Sequence, residues 1–412
     1  MKEGFVNFKS FRTGLIPFSI FTSKQGMQLL GNTFYSKLPN VKTTIFTTMN
    51  KLAAENNAIN LSQGFPDFDS PPELITATSK AMLTGANQYA PMAGSKVLRE
   101  AISLKTEKLY DVSYHPETEI TITAGATQAL FTAISAFIHP GDEVLVIKPA
   151  FDCYEPAIEM NGGIPVFYQL EAPHYKIDWK LFAEKISPQT KMIVLNTPHN
   201  PTGTVLGKKD LKALENILKN TSIILLCDDV YEHILFEGET HQSACLFPEL
   251  KKRALICSSF GKTFHITGWK IGYCMGPKEL MEEFRKVHQF NVFCVSHPFQ
   301  VGLAAYLSNE NHYLELPSFY QEKRDFFIEA IQGSKSNVIP SKGTYFQLLD
   351  YSDITNENDV EYATRLVKEH KIASIPISPF NTNGLDPKVL RFCFAKKNET
   401  LEKAAEILCK IN

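Results

Sequence analysis

Short apolar runs punctuate the middle of the chain, and each ends in small or polar residues. The runs at 120–123, 143–147, 164–168, 191–195, 222–227 and 254–257 predict strands buried within a sheet. Between them lie longer segments with apolar residues three and four apart, which predict helices; one covers 128–137. Further helices are predicted within 37–58, from Pro71 and Pro72 onward, and at 95–109, 279–293, 299–307, 310–335 and 399–409. Strands are predicted at 343–349 and 389–394. Alternating strands and helices imply the α/β class, with a mostly parallel sheet whose ligands bind at the carboxyl ends of the strands. The C-terminal part predicts a separate, smaller α/β unit.

The chain has 412 residues, more than one core usually holds, which predicts two domains. They are placed at 43–295 and 296–412, after an extension and arm at 1–42. A formal net charge of −2 gives no footprint for nucleic acid or an anionic membrane, and no apolar stretch reaches membrane-spanning length. Eight cysteines without a C-x-x-C spacing predict reduced thiols and a cytoplasmic protein. Residues 1–26 hold a single acid, Glu3, among lysines, serines and phenylalanines. That loosely suits a targeting segment, and a start at Met27 explains it equally well.

Candidate chemistry gathers where the predicted strands end. After 254–257 come Ser258-Ser259-Phe260-Gly261-Lys262-Thr263, then Gly268-Trp269-Lys270. A lysine on tight, small-residue backbone at a strand end faces a closed crevice, where burial lowers its pKa and makes it a nucleophile toward an aldehyde such as that of pyridoxal phosphate. The plain alternative is a loop lysine at the surface. The run 222–227 leads into Asp228-Asp229-Val230-Tyr231. A carboxylate closing so apolar a strand needs a cationic partner, such as a protonated ring nitrogen. Asn196-Thr197-Pro198-His199-Asn200-Pro201-Thr202-Gly203 forms a rigid polar loop in which the Asn200 amide can donate to a phenolate oxygen. Gly125-Ala126-Thr127-Gln128 suits a phosphate at a helix start, or an ordinary turn. Phe151 either covers a flat ring or fills core, Tyr89 either packs or donates to an anion, and Gly64 serves as a turn or as a close approach to a ligand. Arg391, inside the apolar run 389–394, calls for a carboxylate in the protein or the substrate. His199, His233, His265, His288 and His297 lack metal-ligand spacing and read as pocket-wall or packing residues.

Together these motifs carry a resemblance. Asn-Leu-Ser-Gln-Gly-Phe-Pro-Asp-Phe from Asn60, Asn-Thr-Pro-His-Asn-Pro-Thr-Gly from Asn196, Asp-Asp-Val-Tyr from Asp228 and Ser-Phe-Gly-Lys-Thr from Ser259 resemble the fold-type I, pyridoxal-phosphate-dependent aminotransferases of class I/II. The likeness runs from about Thr43 to the C-terminus and is greatest to the methionine and kynurenine/glutamine branch. It implies a large three-layer domain with a mostly parallel central sheet, a smaller C-terminal α/β domain, and a homodimer with shared sites. It implies that Lys262 bonds the cofactor, Asp228 pairs with its ring nitrogen, Asn200 and Tyr231 bind its phenolic oxygen and Phe151 stacks on its ring. Ala126, Thr127, Ser259 and Lys270 would hold the phosphate, helped by Tyr89 of the partner subunit, while Gly64, Asn200 and Arg391 would hold the substrate α-carboxylate. The implied reaction moves an amino group from methionine or another large neutral amino acid to a 2-oxo acid. The alternative is a kynurenine/glutamine aminotransferase with β-lyase activity on cysteine conjugates. Phe65, Tyr89 and Tyr345 are candidate walls of the side-chain pocket. Lys270 stands where many relatives carry arginine, and His297 where many carry a small hydroxyl residue.

Overall fold

A computed structural model describes residues 26–29 and 32–411, so all but the last residue of the acid-poor segment 1–26 lies outside the described residues. Gly26–Leu29 and Asn32–Tyr35 pair as antiparallel strands.

The central sheet has seven strands: β1 (Ile120–Thr123), β2 (Glu143–Lys148), β3 (Ile164–Gln169), β4 (Thr190–Asn196), β5 (Ile224–Asp228), β6 (Ala254–Ser259) and β7 (Gly272–Met275). Their spatial order is β1-β7-β6-β5-β4-β2-β3. Six strands share one direction, and β7 runs antiparallel between β1 and β6. The six are those the apolar runs predict. They carry unbroken apolar stretches because helices cover both faces of such a sheet. β7 escapes the sequence reading. It is only four residues long and opens on a glycine, which disfavours strand, although all four residues are buried.

The helix after β1 spans Gly125–Phe137, starting a turn earlier than the pattern predicts. Gly125 adopts φ +76°, a left-handed conformation open to glycine, and turns the chain directly from strand into helix. Gln128 Oε1 accepts from the Ala124 N–H at 2.9 Å and closes this start. A Cβ on Gly272 would lie 2.6 Å from the Ser258 carbonyl oxygen and 2.9 Å from the Gly125 carbonyl carbon. Glycine there allows β7 to seat against the beginning of this helix.

A buried ion pair fixes the chain beyond β5. Glu232 accepts from Lys105 Nζ at 2.6 Å, Ser258 Oγ at 3.0 Å, Tyr273 Oη at 2.9 Å and Tyr110 Oη at 3.0 Å. Burial pushes its carboxyl upward, but Lys105, His233 and His241 outweigh burial and hold it well below the carboxylate range. The segment Asp229–Glu232 is thereby tied to β6.

The second sheet is antiparallel and has four strands, Asn337–Ile339, Phe346–Asp350, Val389–Cys393 and Ile375–Pro376, in that spatial order. Helices Asp359–His370, Leu316–Ala330 and Asn398–Leu408 accompany it, giving the smaller C-terminal α/β unit. The continuous helix expected at 310–335 is two helices, Asn311–Leu314 and Leu316–Ala330. Pro317 has no N–H to give to a preceding turn, so it begins a new helix. The helix expected within 37–58 spans Ile45–Glu55; Thr44 caps it by accepting from the Thr47 N–H at 3.2 Å. It packs on Asp359–His370, and Ile59–Asn60 pairs in parallel with Ile372–Ala373. The Cys393 N–H then donates to the Leu61 carbonyl at 2.8 Å, which lays Ser62–Gly64 beside the strand that carries Arg391. Among the described residues, no helix is long and apolar enough to cross a membrane.

Gly272→Ala is expected to destabilise the protein by roughly 1–3 kcal/mol, the usual cost of an overpacked core, because the intruding methyl meets backbone on two sides. A lower denaturant midpoint, with an unchanged slope, checks this.

Candidate active site

Two adjoining cavities open where β4, β5 and β6 end. The first, about 260 Å³, is bounded at one end by Ala126, Thr127, Ser259 and Lys270 and at the other by Asn196 and Asp228. The second, about 230 Å³, is lined by Phe46, Phe65, Phe346, Gly64 and Arg391. Lys262, Tyr231, Phe151, Asn200 and Thr267 line both. Eleven of the twelve sequence-predicted site residues thus meet at one junction. The twelfth, Tyr89, is 83% exposed, and its ring contacts Phe293 edge-on at 5.4 Å instead.

Asp228 ends β5 and is 4% exposed. Tyr154 donates its hydroxyl to Oδ2 at 2.5 Å, and Asn196 Nδ2 donates to the Asp228 backbone carbonyl at 2.7 Å. Oδ1 is buried without a partner. Burial pushes this carboxyl up to about 6; the Tyr154 hydrogen bond opposes the rise and neighbouring Asp229 adds to it. Asp229 pairs with His241 at 3.0 Å and takes no part in the cavity.

Lys262 lies in the short helix Phe260–Thr263 that follows β6. Its Nζ donates to the Gly64 carbonyl and to Tyr345 Oη, each at 2.9 Å. Its side chain keeps one face to the cavity, yet dense surrounding protein strips most of its water. Burial therefore lowers the amine to about 8, with Arg391 and Lys270 adding to the fall and Cys393 and Asp228 opposing it.

Arg391 is 1% exposed. Nη1 donates to Asn200 Oδ1 at 2.7 Å and Nη2 to the Ser62 carbonyl at 3.1 Å, while Nε is buried without a partner. The guanidinium lies 3.8 Å from the centre of the Phe346 ring. Burial lowers its pKa to about 10, so it remains charged at neutral pH. Asn200 is itself placed by its backbone N–H, which donates to Asn196 Oδ1 at 2.8 Å. Gly64 has no room for a side chain, since a Cβ would lie 2.7 Å from Phe346 Cζ.

At the other end of the first cavity, a Cβ on Gly125 would lie 3.3 Å from Lys270 Nζ, so the ammonium sits over the start of helix Gly125–Phe137. Unpaired N–H groups at a helix start and an adjacent cation suit a phosphate. The cavity therefore offers a phosphate cradle at one end, an orphaned buried carboxylate oxygen at the other, and an amine of lowered pKa between them. Pyridoxal phosphate, with a phosphate, a basic ring nitrogen and an aldehyde, fits this donor set.

Three contributors lacked an assigned part in the sequence reading, and a fourth takes a different part from the one expected. Tyr154 and Asn196 hold Asp228, Thr267 lines both cavities, and Tyr345, expected as a wall of the substrate pocket, is wholly buried behind Lys262. Nothing in the pattern marks Tyr154 as a partner of Asp228 or Tyr345 as a partner of Lys262, 74 and 83 residues away.

Comparison with known proteins agrees with this geometry. The family described as aminotransferase class I and II matches residues 56–408. A methionine aminotransferase of Escherichia coli strain K12 is 48% identical over 374 residues, 90% of this chain and 97% of that protein. Kynurenine–oxoglutarate transaminase 1 of Rattus norvegicus is 33% identical over 410 residues, 91% of this chain and 97% of that protein. The crystal structure of YbdL from Escherichia coli, described with a methionine aminotransferase function, superposes with a TM-score of 0.89 at 48% identity, covering 91% of this chain and 98% of that one. N-succinyldiaminopimelate aminotransferase from Mycobacterium tuberculosis superposes equally well, at 34% identity over 92% of this chain and all of that one (100%). By sequence, fold and donor set, the chain belongs to the class I and II aminotransferases, the fold-type I enzymes that work with pyridoxal phosphate.

Proposed function

We propose that this aminotransferase takes methionine and aromatic or other large neutral amino acids as donors and passes the amino group to a 2-oxo acid. The observation that carries the reading is the wall of the second cavity: Phe46, Phe65, Phe151, Tyr231 and Phe346 surround it. Arg391 is the permanent cation there, and an α-carboxylate would occupy it. A second carboxylate, as in aspartate, would lose water without a cation to replace it.

Each side chain then has a part. Arg391 and Asn200 bind and orient the α-carboxylate, Phe151 and Tyr231 flank the ring, and Ala126, Thr127, Ser259 and Lys270 anchor the phosphate. When bound, pyridoxal phosphate supplies a sink for the electron pair left at Cα. Asp228 holds a proton on the ring nitrogen. Lys262 Nζ takes the Cα proton as general base. Both half-reactions use one site, so the kinetics are ping-pong. Kynurenine, an aryl amino acid, fits the same walls, and a cysteine conjugate would lose its Cβ substituent after the same proton transfer; released pyruvate would reveal that course.

The working unit is proposed to be a cytoplasmic homodimer, with domains divided at about residue 295. Phe290 is 87% exposed and Tyr89 83%, apolar area that a second copy would cover. Thr127 and Lys270 are also open to solvent in the single chain, where Tyr89 of the partner subunit would complete the phosphate site.

Four outcomes test this reading. With one fixed 2-oxo acid, kcat/KM is expected to be higher for methionine, phenylalanine and kynurenine than for aspartate; a preference for aspartate would refute the substrate assignment. Selectivity among the large neutral donors is expected to be shallow, since each methylene contributes only about 1–3 kcal/mol. Asp228→Asn is expected to slow Cα-hydrogen exchange about 10²–10³-fold, as loss of a fixed electrostatic partner in a dry site does, while leaving the thermal midpoint nearly unchanged because one oxygen already lacks a partner. Finally, the unprotonated amine of Lys262 is the base and titrates near 8, so exchange is expected to accelerate as pH rises from 7 to 9. An exchange rate that falls over that range would assign the proton transfer to another group.

A further inference from the structure

Tyr345 is wholly buried between the two sheets' contributions to the site. Its hydroxyl donates to the Gly64 carbonyl at 2.5 Å and accepts from Lys262 Nζ at 2.9 Å, while the same carbonyl accepts from Nζ at 2.9 Å. Amine, phenol and carbonyl close a three-membered ring of hydrogen bonds. The phenol cannot swing away freely. Its ring packs edge-on against Tyr231 at 5.2 Å and Phe346 at 5.0 Å, and against Tyr320 at 5.8 Å. Tyr345 follows Thr344, which holds φ +67°, and precedes the strand Phe346–Asp350 that pairs with the strand of Arg391. The element that presents the phenol to the amine is therefore also bonded to the element that presents the guanidinium.

We propose that Tyr345 is a positioning residue for Lys262: its phenol, anchored on the Gly64 carbonyl, holds the amine at the junction of the two cavities whenever the amine is not bonded to the cofactor, and so aims it at the substrate Cα proton. This rests on Lys262 being the base. An amine with four rotatable carbons loses much of its freedom when parked between two fixed acceptors, and a base already in place needs no search for its proton. The groups that face this amine are Arg391 and Cys393 from the strand Val389–Cys393, Asp228 at the end of β5, Tyr231 just beyond it, and Lys270. Of these groups and Tyr345, only the Tyr345 hydroxyl accepts a hydrogen bond from Nζ. An acceptor favours the charged amine, so its removal moves the proton-binding midpoint of Lys262 to lower pH.

The test is Tyr345→Phe, which keeps the ring and removes the hydroxyl. In the holoenzyme, Cα-hydrogen exchange at saturating methionine is expected to slow roughly 3- to 10-fold, the weight of one hydrogen bond, with KM for methionine changed less. The rising limb of the pH–rate profile is expected to move to lower pH. The pH midpoint for uptake of pyridoxal phosphate by the cofactor-free protein should move the same way, which reads the amine outside turnover. Unmoved pH midpoints overturn the proposal, whether the rate holds or falls in step with thermal stability, since the second pattern marks a purely structural ring. If the variant does not fold, a crystal structure of the cofactor-free wild-type chain decides: an amine within hydrogen-bond reach of the phenol supports the proposal, and one out of reach overturns it. Lys262→Ala, run alongside, separates the two readings. Exchange that survives in Lys262→Ala removes the lysine from its part, whereas its loss there with no effect of Tyr345→Phe removes only the tyrosine.

Discussion

The site depends on charge buried with an incomplete set of partners. Asp228 keeps one oxygen and Arg391 its Nε without a hydrogen bond, both in places water does not reach. An unsatisfied buried charge costs several kcal/mol, and a fold carries it only where the rest of the structure fixes the side chain. Tyr154 and Asn196 fix Asp228, and the Ser62 carbonyl and Asn200 fix Arg391. Under the proposed function, a cofactor ring nitrogen would meet Asp228 and a substrate carboxylate Arg391, and both groups are already oriented for them.

The central sheet positions these groups by simple means. Strands β4, β5 and β6 run side by side in one direction, so Asn196, Asp228 and Ser259 come out at the same edge. The glycine at 272 lets β7 draw the start of a helix to that edge as well. The first cavity is thus built from neighbouring strand ends, whereas Arg391 and Gly64 of the second are carried by the second sheet and by the segment after Ile59–Asn60.

Much of this was legible in the sequence because strand ends and local motifs are local signals. The apolar runs located six of the central sheet's seven strands, and residues shortly after four of them, Thr127, Asn196, Asp228 and Ser259, proved to line the cavity. β7 was missed because a glycine-led strand of four residues has no periodicity to show. The long helix at 310–335 was over-extended because its apolar spacing continues across Pro317, and the backbone donor that proline lacks outranks that spacing. The bonds made by Tyr154 and Tyr345 were illegible for a different reason. Tyr154 looks like core from its neighbours and Tyr345 was expected as a pocket wall, and the polar atom of each acquires its part only when the fold brings a partner from far along the chain. Tyr89 belongs to neither class, since its expected partner is in another copy of the chain.

The Ser62–Gly64 segment holds one more consequence. Within three residues its carbonyls receive hydrogen bonds from two of the site's cations, Arg391 at Ser62 and Lys262 at Gly64. Gly64 is wedged against Phe346, and the Arg391 guanidinium lies on that same ring. The two cations thus share a mount, and a displacement of either is passed to the other through three peptide units and one aromatic ring. Substitutions around Arg391 and around Lys262 will then fail to combine independently, in the manner of residues that share partners. A lineage that reshapes the second cavity near Phe65 or Phe346 must keep the lysine aligned while doing so, which narrows the order in which such changes can accumulate.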